Sequence, residues 1–523
     1  MGIYLNPENV DFQEVLNSKI YVDKSELIQY TNSVLRTTQK YICVSRPRRF
    51  GKSMAANMLT AYYSRGCDSR GLFQGLKIAT HPDFEKHLNQ YNVIHLNMRD
   101  YLTESENMKQ LIQFVEDDLL DELQQEFSDL RMPRRKTLVK VLEQAFVQYK
   151  IPFVFIIDEW DCIFRVHKSD AASQKDYLDF LRNLLKDKSY IALAYMTGIL
   201  PIKKYGEHSA INVFYEYSMT DASPIEEFTG FTEQEVRQLC EQYNMPFSET
   251  KKWYDGYCVD GVSIYNPKSV VEAMLRHKFG TYWNQTETYE ALKIYIQMDM
   301  DGLQDSVIRM LSGESIKINT GTFSNDMTTF ATKDDVLTLL VHLGYLTYDS
   351  TEETVKIPNK EVSQEYVNAI STMRWNGVAD SVQSSRKLLE SLWALDADAV
   401  AAGIDRAHEE ISILQYNDEN SLSCTINLAF YFAREYYTIV RELPAGKGFA
   451  DICMIPRKQH TDKPAVVIEL KWDKSASGAL DQIREKQYGN ALKDYQGNLL
   501  LVGINYDKHT KKHECMIEPI QKP

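Results

Sequence analysis

The sequence predicts an α/β protein in two main parts: an N-terminal parallel sheet with a helical extension, and a smaller C-terminal α/β domain. Three observations predict it. The apolar run YICVS meets a basic turn, RPRRFGKS, and then the helix-like SMAANMLTAYYS. Two further apolar runs, IPFVFIIDEWD and YIALAYMT, end in acids and in a threonine, with a helical stretch between them. Far downstream, Asp451 and the stretch VVIELK lie on two strand candidates divided by a polar turn. Apolar strands alternating with helices mark a parallel sheet, because parallel crossovers need a helix and cover both sheet faces.

Bulk composition narrows the classes. With 523 residues the chain exceeds one ordinary core, so two or three domains are expected. Hydrophobic residues at 44% and charged residues at 25% describe a globular chain, not a disordered one. A net charge of −14 argues against a chain-wide nucleic-acid surface, yet leaves room for a local basic groove. The 8 cysteines form no CxxC pair and read as free thiols, not zinc ligands. No run approaches the roughly 20 apolar residues of a membrane span. The first residues lack the basic and apolar regions of a secretory signal, so cytoplasm is the expected location.

The elements follow in order. Residues 1–40 hold short elements, YNVIHLNM (91–98) is a strand, and 103–150 and 172–188 are helical, which closes a first domain at 1–225. From 226 the texture changes. EEFTGFTEQEVRQLC suggests a helix capped by Thr232, with Glu235 three residues on. Turn glycines Gly256 and Gly261 follow, and 286–375 is mostly helical, so 226–380 reads as a lid or connector. The polar stretch STMRWNGVADSVQSS marks a boundary, and 381–523 form the last domain, with the terminal strand NLLLVGINY.

The first site rests on RPRRFGKS, which ends as a phosphate loop does, in Gly51, Lys52 and Ser53. Glycine lets the backbone turn tightly under phosphate, lysine reaches the β and γ oxygens, and the serine hydroxyl holds magnesium. Amides opening the following helix face the anion. Arg46 stands where the first glycine usually stands, and the competing reading is a basic turn before an ordinary helix. The strand before and the helix after favour the P-loop. Asp158 is placed to hold magnesium, and Glu159 to position a water toward the γ-phosphate. Asp161 reads as structural or local to the rim. Thr197 either senses phosphate or closes its own strand, and the residues do not choose between these. Arg48 and Arg49 contact phosphate or the other domain, or are surface charge.

The second site lies in 446–471. Strand period puts Val467, Glu469 and Lys471 on one face and Val466, Ile468 and Leu470 on the other, which is expected to be the packed one. If Asp451 occupies the neighbouring strand, two carboxylates converge on one metal. Magnesium prefers such oxygen ligands, and manganese is an alternative at this site. Lys471 then orients water and offsets developing charge. Glu419, opening a helical stretch, is a further candidate ligand, and Gln482 and Tyr488 contact substrate or brace Lys471. The competing reading is a hairpin with one buried Glu469–Lys471 ion pair. The 11 histidines form neither HxH nor HExxH, and no Gly-x-Ser-x-Gly elbow occurs.

Taken together, KIYVDKSELI, SRPRRFGKS, FIIDEWD, TGILPIKK, WYDGY, IYNPKSV, LGYLT, IPNKE, GKGFADI, VVIELK and ALDQIREKQY resemble a bacterial family across nearly the whole chain. Its members join an AAA-ATPase-like domain to a C-terminal domain of the PD-(D/E)XK nuclease superfamily. The resemblance implies a P-loop NTPase sheet followed by a restriction-endonuclease-like α/β domain. It makes Arg46 a family feature and a nucleotide-binding candidate, and Trp160 an aromatic replacing the family's tyrosine. It makes Asp451, Glu469 and Lys471 the nuclease triad, Glu419 the early acid, and Gln482 and Tyr488 accessory residues. The implied cofactors are ATP and Mg2+. The expected activity is an ATP-dependent or ATP-regulated nuclease, with DNA favoured over RNA by analogy alone. The alternative is a nucleotide-switched module that binds nucleic acid or protein without cutting. A protein partner and an oligomer fit either reading, and no arginine finger is identifiable.

Overall fold

The computed structural model describes residues 2–202, 211–283, 290–298, 300, 302–325, 327–372, 376–410, 419–445, 448–457, 459–485 and 498–520. The chain divides into two compact units, Met1–Thr286 with Lys317–Val362, and Glu287–Ile316 with Ser363–Pro523.

The first unit is organised by five strands: β1 (Tyr41–Ser45), β2 (Asn92–Asn97), β3 (Phe153–Asp158), β4 (Ile191–Gly198) and β5 (Tyr215–Tyr217). Their order is β2-β3-β4-β1-β5, and every neighbouring pair is parallel. Every residue of β1, β3 and β4 is buried, which is why these strands read as continuous apolar runs with no alternation. β5, a short strand, carried no such signal. The helix α1 (Lys52–Tyr63) is buried over most of its circumference, from Ala55 and Ala56 to Tyr62 and Tyr63. It starts at Gly51, whose φ of 87° is left-handed and comfortable only for glycine. Register brings Val44 level with Thr197, and Asn97 level with Asp158. The carboxyl ends of β1, β3 and β4 therefore share one rim, where open α/β sheets bind ligands.

A second core of this unit is built from Phe231, Val236, Leu239, Tyr254, Tyr265, Val270 and Met274 with Ile20. Here the capping box expected at Thr232 forms. Its hydroxyl accepts the Glu235 amide, and the Glu235 carboxylate accepts the Thr232 amide at 2.8 Å.

The second unit is centred on β6 (Tyr437–Ala445), β7 (Gly448–Pro456), β8 (Ala465–Trp472), β9 (Leu499–Asp507) and β10 (Lys512–Ile520), in that spatial order. The β8–β9 pair is parallel and the rest are antiparallel. A parallel pair needs a crossover, and the helix Ala476–Glu485 supplies it. It approaches closely at Gly503, where a Cβ would lie 2.2 Å from the Ala476 carbonyl oxygen. The expectation that only the Val466–Ile468–Leu470 face of β8 packs needs correction. Val467 is buried in a cluster with Leu480 and Ile483 of the crossover helix, so both faces are covered.

On β9 and β10, the rings of Tyr506 and His513 pack tilted against each other, and both lie against His408 of the helix Ala397–Glu410. Burial pushes His408 down to about 4, helped by His513 and Lys511 and opposed by Asp405. Burial also lowers His513, against the hydrogen bond it makes to Asp405. Both rings are then neutral in the fold at neutral pH. Below the ordinary value of 6.5 the unfolded chain binds protons that the folded unit refuses, so stability falls as pH drops from there toward 4. Chemical denaturation midpoints should decrease between pH 6.5 and pH 5, above the range of ordinary carboxylates. A His408→Phe variant, which keeps a ring against Tyr506, should flatten that slope. An unchanged slope would remove His408 as its cause.

Among the described residues, no helix is long and apolar enough to cross a membrane.

Candidate functional site

At the rim of the first sheet, three expected residues come together. Ser53, in the first turn of α1, donates its hydroxyl to Asp158 Oδ2 at 2.5 Å. Thr197, at the end of β4, donates to Asp158 Oδ1, which also accepts the Glu159 amide at 3.0 Å. A hydroxyl and a carboxylate side by side form an oxygen donor set that suits magnesium, which binds one or two protein ligands and keeps its waters. Lys52 is buried at 5% exposure, and its ammonium donates to the carbonyls of Arg46 and Pro47 at 3.0 and 2.9 Å. Burial lowers its pKa, while Glu159 and Asp158 oppose the shift. The loop thus curls around its own lysine, with the charge held where phosphate oxygens are expected.

Glu159 follows with φ at 54°, a left-handed conformation rare for glutamate. Its carboxylate pairs with Arg165. Burial is the largest influence and raises its pKa, but Arg165, Lys52 and Arg48 outweigh it and hold the group below its ordinary value. Arg165 was not singled out from sequence, although its spacing of four from Asp161 is a helix-pair signal. Asp161 is fully buried, accepts the Ile199 and Leu200 amides at 3.1 and 2.8 Å, and pairs with Arg165 at 3.1 Å. It ties the end of β4 to the acidic turn, in keeping with its structural reading.

Arg46 occupies a different role from a phosphate contact in this geometry. It is 1% exposed and donates to the Ser45 and Tyr217 carbonyls at 3.0 and 2.9 Å, joining the ends of β1 and β5. Burial lowers its pKa to about 10. Arg49 donates to the carbonyls of Tyr282 and Trp283 at 2.8 and 2.6 Å.

The loop opens into a cavity of about 920 Å³. Lys52, Ser53, Arg48 and Glu159 line it together with Tyr21, Phe231, Val271 and Leu275. Cations alongside apolar walls fit a phosphorylated nucleoside. Tyr21 lies in the segment KIYVDKSELI, and no short-range pattern marked it as a wall of the site.

In the second unit, β7 and β8 pair antiparallel with Ile452 opposite Ile468, so the next residues, Asp451 and Glu469, sit beside each other on adjacent strands. Asp451 Oδ2 accepts the Leu470 amide at 2.7 Å. Lys471 donates to Glu469 Oε1 at 3.0 Å, and Gln482 from the crossover helix donates to the same oxygen. Four expected residues therefore gather here. Glu469 is only 2% exposed, so a cation reaching Oε1 must displace one of those donors. Glu419 opens the helix Glu419–Ala429, and its side chain lies outside the described residues, as does Tyr488 entirely. Among the described residues, no group of three or more His, Cys, Asp or Glu side chains could hold a metal. Asp451 and Glu469 supply two carboxylates of the chemistry magnesium prefers.

Residues 10–206 match the AAA-ATPase-like family, described as Predicted AAA-ATPase, and residues 418–515 match the PD-(D/E)XK nuclease superfamily. The chain carries an AAA-ATPase-like domain and a PD-(D/E)XK nuclease superfamily domain. The AAA-ATPase-like domain holds the Lys52, Ser53 and Asp158 rim, and the PD-(D/E)XK domain holds Asp451, Glu469, Lys471 and Gln482. The chain is 24% identical over 256 residues to an uncharacterized protein in the vnfD 5'region of Azotobacter chroococcum mcd 1, across 47% of each chain. It thus spans about half the length of that relative. Among solved structures, the Aeropyrum pernix ORC2 protein in its ADPNP-ADP complexes aligns at 12% identity and a TM-score of 0.29, covering 68% of this chain and 96% of that one. AMPPCP-bound DnaA from Aquifex aeolicus aligns at 8% identity and a TM-score of 0.23, covering 70% and 94%.

Proposed function

We propose that this protein is an ATP-dependent or ATP-regulated nuclease, using magnesium to hydrolyse phosphodiesters in nucleic acid, with DNA preferred to RNA. The observation that carries the reading is the meeting of Asp451 and Glu469 on adjacent strands, with Lys471 and Gln482 both on Glu469. Asp451 and Glu469, with Glu419 as a third candidate, would hold magnesium, which when bound would supply Lewis-acid polarisation of the phosphate. Lys471 orients the attacking water and offsets charge building on the phosphoryl oxygens. Gln482 braces Glu469 and Lys471 in place. In the ATPase-like domain, Lys52 meets the β and γ phosphates, Ser53 and Asp158 hold the nucleotide's magnesium, and Thr197 keeps Asp158 oriented. Glu159 positions the water once its Arg165 pair opens. Manganese is an alternative at the nuclease-like site. An oligomer and a protein partner are compatible with this reading, as is a cytoplasmic location.

A second reading is favoured by one observation, the burial of Glu469 under two donors. On that reading ATP switches a module that binds nucleic acid or protein without cutting. The deciding assay incubates the full chain with labelled linear, circular and single-stranded DNA and with RNA. It uses magnesium or manganese, with and without ATP. Metal-dependent cleavage that changes with ATP is expected. ATP hydrolysis with every substrate intact would select the second reading.

A further inference from the structure

Residues 131–136 read RMPRRK, placing four cations within six residues of a chain whose net charge is −14. The segment joins the helices Met108–Glu126 and Leu138–Tyr149 of the first unit, away from the phosphate loop in sequence. Arg131, Arg134, Arg135 and Lys136 are all exposed, and so is Lys150 just past the second helix. None of the four has an ion-pair partner among the described residues, whereas Lys140, four residues on from Lys136, pairs with Glu143 at 2.7 Å. The nearest acid in sequence, Asp129, accepts from the Tyr149 hydroxyl.

The loop is also anchored. Leu130 and Leu138 are 7% and 1% exposed, so both ends are pinned in the core. The Arg131 amide donates to Gln148 Oε1 at 3.1 Å, and Gln148 donates back to the Asp129 carbonyl at 3.1 Å. Pro133 restricts the backbone between those ends. A clustered positive charge on a tethered loop resists the ordinary explanation of a solvated surface, because a mixed surface would interleave acids as Glu143 does beside Lys140 on the following helix.

We infer that this loop binds the phosphate backbone of a nucleic acid, without reading sequence. Three guanidinium forks suit bidentate contact with phosphate oxygens, and backbone contacts of this kind fix position and supply affinity. The choice of nucleic acid over an acidic protein rests on the nuclease reading above. An acidic chain needs such a local patch, because its overall field repels the polyanion.

The test measures anisotropy of a labelled DNA duplex and a labelled RNA with the full chain in EDTA, across a salt series. Because no cleavage occurs in EDTA, failure of the nuclease reading leaves this measurement standing. In the Arg131→Ala, Arg134→Ala, Arg135→Ala, Lys136→Ala variant, the slope of log affinity against log salt should become shallower by about 3 to 4, near 0.9 per lost phosphate contact. Affinity at low salt should fall at least about tenfold. A variant with the three arginines changed to lysine keeps its charge and should retain the slope. Alanine at Arg70, Lys86, Lys140 and Arg182, each in an ion pair, changes net charge equally and should leave the slope alone. The thermal unfolding midpoint should be common to all, since every side chain changed is exposed. Unaltered binding in the alanine loop variant, or equal loss in the scattered variant, overturns the inference. So does an absence of binding by the unmodified chain.

Discussion

Lys52→Met should lower ATP turnover at least about 100-fold, equivalent to about 2.7 kcal/mol of transition-state stabilisation. The ammonium is buried and already desolvated, so its attraction for phosphoryl oxygens is not diluted by bulk water. Methionine fills similar space and leaves no unpaired charge, and the Arg46 and Pro47 carbonyls lose a donor at the edge of an open cavity. The fold should therefore survive, which circular dichroism and the unfolding midpoint would verify. Asp158→Asn should act on the same step by a different route. The amide cannot bind the cation as a carboxylate does, and it disturbs the bonds from Ser53 and Thr197. Nucleotide affinity measured in EDTA separates the two, because only the lysine variant should lose binding without metal. Full turnover in Lys52→Met would place ATP hydrolysis elsewhere in the chain.

The second large effect is expected in the PD-(D/E)XK domain, and the design of the variant decides what it reports. Glu469 and Lys471 form a buried ion pair, with side chains 2% and 11% exposed. Removing one partner strands the other charge in the interior, at a cost of about 3–5 kcal/mol. A single substitution would then abolish activity through unfolding as readily as through chemistry. Removing both together, Glu469→Ala with Lys471→Ala, avoids the lone charge and leaves mainly the loss of packing. Cleavage by this double variant should fall at least about 1,000-fold, from lost metal ligation and lost charge compensation combined. ATP turnover in the same preparation should persist, which shows that the first unit is intact. A double variant that cleaves at the wild-type rate would exclude this pair as the nuclease centre.

Legibility differed between the two sites for a physical reason. The loop at Arg46–Ser53 was readable because its signals are local. A strand, a left-handed Gly51, a lysine and a helix N-terminus follow one another in the chain. The acids at Asp158 and Glu159 stood out because charge at the end of a fully buried strand is costly without a partner. Their partners were less visible. Arg165 completes the Glu159 pair through a helix that begins only after the acidic turn, and Tyr21 and Phe231 reach the cavity from segments about 200 residues apart. The basic run at 131–136 is visible in the sequence, but its exposure and its anchoring to Gln148 are set by the fold.

At the second site, the two-residue period of β8 correctly placed Glu469 and Lys471 together. It could not show that the Val467 face is buried too. That depends on β8 and β9 being parallel, which demands a crossover helix and lets Gly503 admit it against the sheet.

The sequence by itself determined the main apolar strands, the order of the glycine-lysine loop and acids along the first half, and the carboxylates on the strands of the second. These follow from local periodicity, turn chemistry and the cost of burying charge. Only the tertiary structure decided which of these groups touch. It joined Ser53 and Thr197 on Asp158, turned Arg46 to the end of β5, paired Glu159 with Arg165, and enclosed Glu469 between Lys471 and Gln482. Such contacts depend on strand order and helix crossover, and neither is encoded in the spacing of any one segment.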